Sequence, residues 1–138
     1  MSIMDAFIPE GALKPVAEGQ LMKELTDILV SLEGIEPENE QARAECVIFV
    51  HRPTVLVAGR PARLPRYRFV PLLTKGRDDD TVVRLVEKAV IEAVARAEGT
   101  SFDDARSRVW VSPWELPCPE RELAPNSARI LDSLADRE

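Results

Sequence analysis

The sequence predicts an α/β (α+β) chain in which a β-α-β unit occurs twice, giving a four-stranded mixed sheet with two helices on one face. Three spacings carry this expectation. Gly11 and Gly76, each closing a strand, stand 65 residues apart, and so do Gly34 and Gly99, each closing a helix. Leu21, Leu25 and Leu29 match Val86, Val90 and Val94 at the same offset. Each unit spans roughly 45–50 residues, long enough for a right-handed parallel crossover. The 138 residues are expected to form a single domain, with the first unit at about 1–52, the second at about 66–112 and a C-terminal extension at 113–138.

Each element has its own signal. Ile3 to Pro9 is short and apolar and meets Glu10-Gly11, a strand ending in a turn. Pro15 suits the first turn of a helix, Leu21, Leu25, Ile28, Leu29 and Leu32 share one helical face, and Gly34 fits the stop. A polar loop is expected from Glu36 to Gln41, then a mostly buried strand from Ala44 to Val50, ended by His51-Arg52-Pro53. Thr54 to Ala58 reads as a short edge strand before Gly59. Tyr67 to Leu73 is the third main strand, in which Pro71 fits a central position poorly. Asp78, Asp79 and Asp80 supply an N-cap and dipole-favoured charge for a second helix. Its buried stripe runs through Val82, Val86, Ala89, Val90, Ala93, Val94 and Ala97. Arg108 to Ser112 is the fourth strand. The proline-rich tail is expected to run extended, with Asn126 or Ser127 capping a last short helix that carries Ile130, Leu131 and Leu134. With both helices on one sheet face, the other face needs a cover, and oligomerisation is the natural one.

Composition narrows the function classes. The chain is 45% apolar and 30% charged, as globular proteins are. No apolar run approaches the roughly 20 residues of a membrane span. The opening Met-Ser-Ile-Met-Asp has no basic segment, so no signal peptide is expected. Cys46 and Cys118 form neither a disulfide framework nor a zinc spacing, which favours a reducing, cytoplasmic setting. A net charge of −6 argues against nucleic-acid binding.

That charge is uneven. Between Cys46 and Arg77 there is no Asp or Glu, yet the stretch holds seven of the 18 Lys and Arg residues and the only histidine. Such an island suits a small anionic ligand, a carboxylate or phosphate. Acids of a neighbouring subunit would suit it equally. Arg77 opens a helix after a strand, where backbone N–H groups and the dipole already favour an anion and guanidinium adds a bidentate grip. The alternative for Arg77 is a solvated side chain paired with Asp78 to Asp80. Lys75 shares its turn. His51 and Arg52 close a strand and either orient a substrate carbonyl or make strand-end hydrogen bonds. Arg66 and Arg68 share a strand face and line a pocket or a subunit interface, with the interface favoured. Trp110 and Trp114 read as packing residues of the core or an interface, with an aromatic pocket wall as the alternative. A lone histidine and two distant cysteines make no metal site.

The ordered set of features resembles the tautomerase superfamily, which includes 4-oxalocrotonate tautomerase, malonate semialdehyde decarboxylase and macrophage migration inhibitory factor. Asp5 to Gly11 looks like that family's first strand and turn, and Gly76-Arg77 like the Gly-Arg of the short tautomerases. Asn39-Glu40 and His51-Arg52-Pro53 resemble the decarboxylase branch. The resemblance covers about residues 1–112. It implies a homotrimer of double units acting on small carbonyl acids, without metal or organic cofactor, through an exposed amino-terminal proline, with arginines holding the substrate carboxylate. It also gives Glu40 the role of orienting a water or tuning the nearby amine. Here the residue after Met1 is Ser2, not proline. If methionine is removed, Ser2 offers a primary amine with an ordinary pKa of roughly 7.7–8.0, able to accept a proton near neutrality.

Three functional readings follow. The first is a carboxylate-binding tautomerase-like protein catalysing enol–keto proton transfer or a related decarboxylation or hydrolytic step, with Ser2 and Glu40 as catalytic candidates and Arg77, Lys75, His51 and Arg52 as substrate-binding candidates. The second is a catalytically decayed member serving as a binding or accessory subunit. The third is a ferredoxin-like regulatory module, monomeric or dimeric.

Overall fold

The computed structural model describes residues 2–73, 80–115, 129, 130, 132 and 133. In chain order the elements are β1 (Ser2–Phe7), α1 (Pro15–Leu32), α2 (Glu40–Ala44), β2 (Cys46–His51), β3 (Leu56–Val57), β4 (Arg60–Pro61), β5 (Tyr67–Leu73), α3 (Asp80–Glu98), α4 (Phe102–Arg106), β6 (Val109–Val111) and β7 (Trp114–Glu115). The main sheet has the order β2-β1-β5-β6, and β7 pairs with the end of β5. Within each unit the strands are parallel neighbours: Ser2 lies opposite Cys46 and Phe7 opposite His51, and Tyr67 lies opposite Val109. The units join antiparallel through β1 and β5, with Met4 opposite Pro71. Adjacent parallel strands within each unit exclude the ferredoxin-like alternative, whose β-α-β is split.

Alternation along the strands sets the core. Met4, Ala6 and Ile8 of the first unit and Tyr67 and Phe69 of the second point to the helices and are buried. They meet Leu21, Leu25 and Leu29 from α1 and Val86, Val90 and Val94 from α3, in one cluster. Pro15 occupies the start of α1 as expected, and Gly34 and Gly99 follow the two long helices with φ of 74° each. That left-handed conformation is open to glycine at little cost, which is why the spacing of these two residues marks the repeat.

Pro71 is accommodated by a gap. Tyr67 donates its N–H to the Arg108 carbonyl at 2.8 Å and Phe69 accepts from the Ser112 N–H at 2.9 Å, so the odd residues of β5 turn their polar groups toward β6. The two-residue period puts the ring nitrogen of Pro71 on that same side. There β6 has ended opposite Phe69 and β7 begins only opposite Leu72, so no ladder bond is lost.

Several expectations are corrected. The loop at Glu36 to Gln41 ends early, because Asn39 caps α2: its Oδ1 accepts the Ala42 N–H at 3.0 Å. The second strand begins at Cys46 rather than Ala44 and is an edge strand. Cys46 and Ile48 pack on the core, while Val47, Phe49 and His51 are exposed on the opposite sheet face. Thr54 to Ala58 does not join the main sheet. Leu56–Val57 pairs instead with Arg60–Pro61 in a separate hairpin. Ala58 and Gly59 at its tip both have positive φ, 52° and 75°, as a two-residue hairpin turn of matching twist requires. Among the described residues no helix covers the sheet face away from α1 and α3, where Val47, Phe49 and Trp110 are exposed, in line with the expectation that both long helices share one face.

The expected cap at Asp78 and Asp79, the prolines of the tail, Asn126, Ser127, Leu131 and Leu134 lie outside the described residues. Arg129, Ile130, Asp132 and Ser133 are helical.

Candidate functional site

The start of β1 is tied down by two bonds. The Ser2 N–H donates to the Glu45 carbonyl at 3.4 Å, continuing the parallel ladder, and the Ser2 hydroxyl donates to Glu33 Oε1 at 3.3 Å. Ser2 is buried. Glu33 sits here because it is the residue that ends α1, just before the left-handed Gly34. Cys46 lies opposite Ser2. Burial pushes its thiol up, against the opposing pull of Arg43, so it is a poor nucleophile at neutral pH. Arg43 is committed to Asp27 and to the Pro37 carbonyl, the latter at 2.8 Å, and so fastens α2 to α1.

The other candidates are distributed along the fold. Glu40 is exposed in the first turn of α2, and its neighbour Asn39 serves as the cap. His51 and Arg52 lie at the far end of the sheet. His51 Nε2 is 2.6 Å from Asp5 Oδ1, and its ring stacks on Phe7 with centroids 4.4 Å apart. Arg52 turns to the helix side, where it donates to Glu18 Oε1 at 2.5 Å and to the Ile8 carbonyl at 3.3 Å. Five register steps separate Ser2 from Phe7, about 17 Å along a strand. The chain therefore does not bring His51 and Arg52 to Ser2. Lys75 and Arg77 lie outside the described residues. They follow Leu73, which ends β5 at the Ser2 end of the sheet, since β1 and β5 are antiparallel.

The second unit repeats the Ser2 arrangement at the 65-residue offset. Tyr67 stands where Ser2 does, and its hydroxyl donates to Glu98 Oε2 at 2.8 Å, Glu98 standing where Glu33 does. Its N–H bonds to the carbonyl of Arg108, which directly precedes β6 as Glu45 directly precedes β2, so that register and not the 65-residue offset makes the two counterparts. Here the carboxylate is closed off. Arg108 grips Glu98 with both terminal nitrogens, at 2.7 and 2.5 Å, and reaches the Pro65 carbonyl at 2.8 Å and Asp104 at 3.3 Å. Both side chains of the central pair are buried. Burial pushes the Glu98 carboxyl up, but the hydrogen bonds from Arg108 and Tyr67 outweigh it and hold the group below the usual carboxylate range. Burial and the neighbouring Glu98 drive the Tyr67 hydroxyl well above its ordinary value. Among the described residues Arg108 Nε is the one buried side-chain polar atom without a partner. Sequence reading missed this cluster, although the 65-residue offset, carried to Glu33 and Glu98, contains the signal.

Chemically, the Ser2 end offers a hydroxyl polarised by a carboxylate beside the backbone of the strand start. The described residues contain no group of three or more His, Cys, Asp and Glu side chains placed to hold a metal ion. None of their helices is long and apolar enough to cross a membrane.

No family model and no curated protein matches this sequence. Solved structures do match. A fused 4-OT wild type, a symmetric trimer, is 21% identical over 89% of this chain and 92% of its own, with a TM-score of 0.61. A member of the cis-3-chloroacrylic acid dehalogenase family is 14% identical over 99% and 92%, with a TM-score of 0.63. The macrophage migration inhibitory factor of Toxoplasma gondii is 13% identical over 89% and 96%, with a TM-score of 0.61. The chain thus has the tautomerase-superfamily fold: a mixed sheet of two β-α-β units with the long helices on one side. That is the fold the resemblance implied.

Proposed function

We propose that this chain is a tautomerase-superfamily protein that binds a small keto or enol acid at the Ser2 end of the sheet and moves a proton on it. The observation that carries the proposal is the duplicated fold: β1 begins at Ser2, and β5 runs back to the same end and stops at Leu73, shortly before Lys75 and Arg77 in the sequence. In this reading Arg77 and Lys75 hold the carboxylate, and the Ser2 amine, freed by methionine removal, accepts the proton. Glu40 orients a water. His51 and Arg52 act on substrate only through a neighbouring copy, because one chain keeps them far from Ser2. The uncovered sheet face supports assembly into a homotrimer, as the fused 4-OT structure is. We place the protein in the cytoplasm and assign it no cofactor.

The test joins intact mass with ligand binding. A mass lacking the initiator methionine, and loss of pyruvate binding in Arg77→Ala, support the proposal. Pyruvate binding unchanged in that variant defeats it. A second reading, a decayed accessory subunit, is favoured by Ser2 itself: its N–H is spent on the strand ladder and its hydroxyl on Glu33. Ser2→Pro separates the two readings. A strong gain of proton transfer shows a pocket lacking only its base, whereas no gain in a protein that keeps its assembly favours decay.

A further inference from the structure

Both units carry a carboxylate at the end of their long helix, and only one of the two has a counter-charge. Glu33 and Glu98 stand immediately before the left-handed Gly34 and Gly99. Each accepts a bond from the hydroxyl that opens the adjacent strand, Ser2 for Glu33 and Tyr67 for Glu98. Arg108 neutralises Glu98. Among the described residues Glu33 has no cationic partner. Yet Glu33 is partly buried, and it sits at the C-terminal end of α1, where the helix dipole is negative and the last turn holds no basic residue.

The groups that face Ser2 favour a cation there. From α1 comes the Glu33 carboxylate. From the residue ahead of β2 come the Glu45 carbonyl, 3.4 Å from the Ser2 nitrogen, and the exposed Glu45 side chain. Within β2 the Cys46 thiol is pushed up by burial and stays neutral. The described end of β5, Leu72 and Leu73, is apolar. Of the positive groups, Arg43 is committed to Asp27 and the Pro37 carbonyl. Lys75 and Arg77 lie outside the described residues and serve the substrate carboxylate in the function proposed above. Removal of the initiator methionine supplies the cation. The nitrogen and Oγ of a serine are carried on adjacent carbons, so a carboxylate 3.3 Å from Oγ acts on the nitrogen at the short range where an opposite charge favours the ionised form. One N–H of the ammonium keeps the Glu45 carbonyl, and the others are free for Glu33. We infer that Glu33 is the positioning residue of the Ser2 amine: it takes the ammonium as its counter-ion, as Glu98 takes Arg108, and the amine must shed a proton before it can accept one from a substrate. The inference rests on the proposed function only in requiring that Ser2 be freed, and it needs no turnover.

The test is a titration of the amine itself. The chain is made with isotopically labelled serine, its mass confirms loss of Met1, and the Ser2 signal, the one missing from Ser2→Ala, is followed by NMR as pH rises. Its midpoint should lie above the roughly 7.7–8.0 of an ordinary α-amine. In Glu33→Gln the midpoint should fall by about one pH unit or more. In Glu33→Asp, which keeps the charge, it should fall less, and in Glu38→Gln, on the exposed loop, it should not move. Acceleration of pyruvate methyl exchange should rise with pH through the same midpoint in each chain. A parent midpoint at or below the ordinary range overturns the inference whether or not the variants fold, as does a midpoint that Glu33→Gln leaves unchanged, or a chain that keeps Met1. The two readings fail separately. A high midpoint that falls in Glu33→Gln, without any exchange of pyruvate protons, upholds the inference and defeats the proposed function. Exchange that depends on Arg77 but keeps its pH profile in Glu33→Gln does the reverse.

Discussion

The two halves of the molecule place a hydroxyl against a carboxylate at the same point in the fold and put the pair to opposite uses. In the second half Tyr67, Glu98 and Arg108 form a closed, buried cluster in which nearly every polar atom is satisfied. In the first half Ser2 and Glu33 have the same relation at a longer 3.3 Å. The residue that supplies the strand's first carbonyl is Glu45 where the second half has Arg108, so no guanidinium closes the carboxylate. The nearby Arg43 is drawn off to Asp27. A duplicated backbone thus carries one end built for stability and one end left chemically open, and the change turns on position 45 against position 108.

The sharpest way to break this contrast is to remove the cation from the closed end. Arg108→Leu leaves the Glu98 carboxylate buried and unpaired, and should cost about 3–5 kcal/mol, read as a large fall in urea midpoint. The comparable change at the open end, Glu33→Gln, leaves no buried charge behind and should cost far less. The core offers the next comparison. Leu25 and Val90 occupy equivalent, fully buried positions. Leu25→Ala should cost about 2–5 kcal/mol, and Val90→Ala less, because fewer methyl groups are lost. Below these comes the hydroxyl pair. Tyr67→Phe removes a hydrogen bond to a charged group and should cost about 1.5–3 kcal/mol, while Ser2→Ala should cost about 0.5–1.5 kcal/mol, both by thermal unfolding.

Acid sharpens the same comparison at smaller amplitude. The carboxyl of Glu98 titrates lower folded than unfolded, so the stability it lends is present above the unfolded value of about 4.3 and is lost as pH falls through the folded value. Unfolding midpoints measured downward from pH 6 should therefore decline in the parent. Arg108→Leu should flatten or reverse that decline, since protonation then relieves a buried charge.

Much of this fold was legible because the repeat is written in side chains that physics constrains tightly. A helix needs its apolar stripe, and a left-handed stop favours glycine, so Gly34, Gly99 and the two stripes had to recur together. The short helices were harder to see. Five residues at Glu40–Ala44 and Phe102–Arg106 carry too little periodicity, and only the caps Asn39 and Ser101 betray them. Burial of the second strand was overestimated because a run such as Cys46 to Val50 reads as two-sided, while an edge strand buries one face. The candidate site was the least legible. His51-Arg52 and Ser2 look like parts of one site in sequence, but only strand register reveals that a parallel pairing sends them to opposite ends. Likewise only the register sets Arg68 between Phe7 and Trp110 on neighbouring strands.

The function proposed for the open end is tested most directly by exchange of the methyl protons of pyruvate for deuterium in heavy water, followed by NMR. The parent chain should accelerate the exchange over buffer. Arg77→Ala should abolish that acceleration, and Lys88→Ala, on the exposed side of α3, should not. Exchange no faster than in buffer, or an acceleration that survives loss of Arg77, would contradict the account.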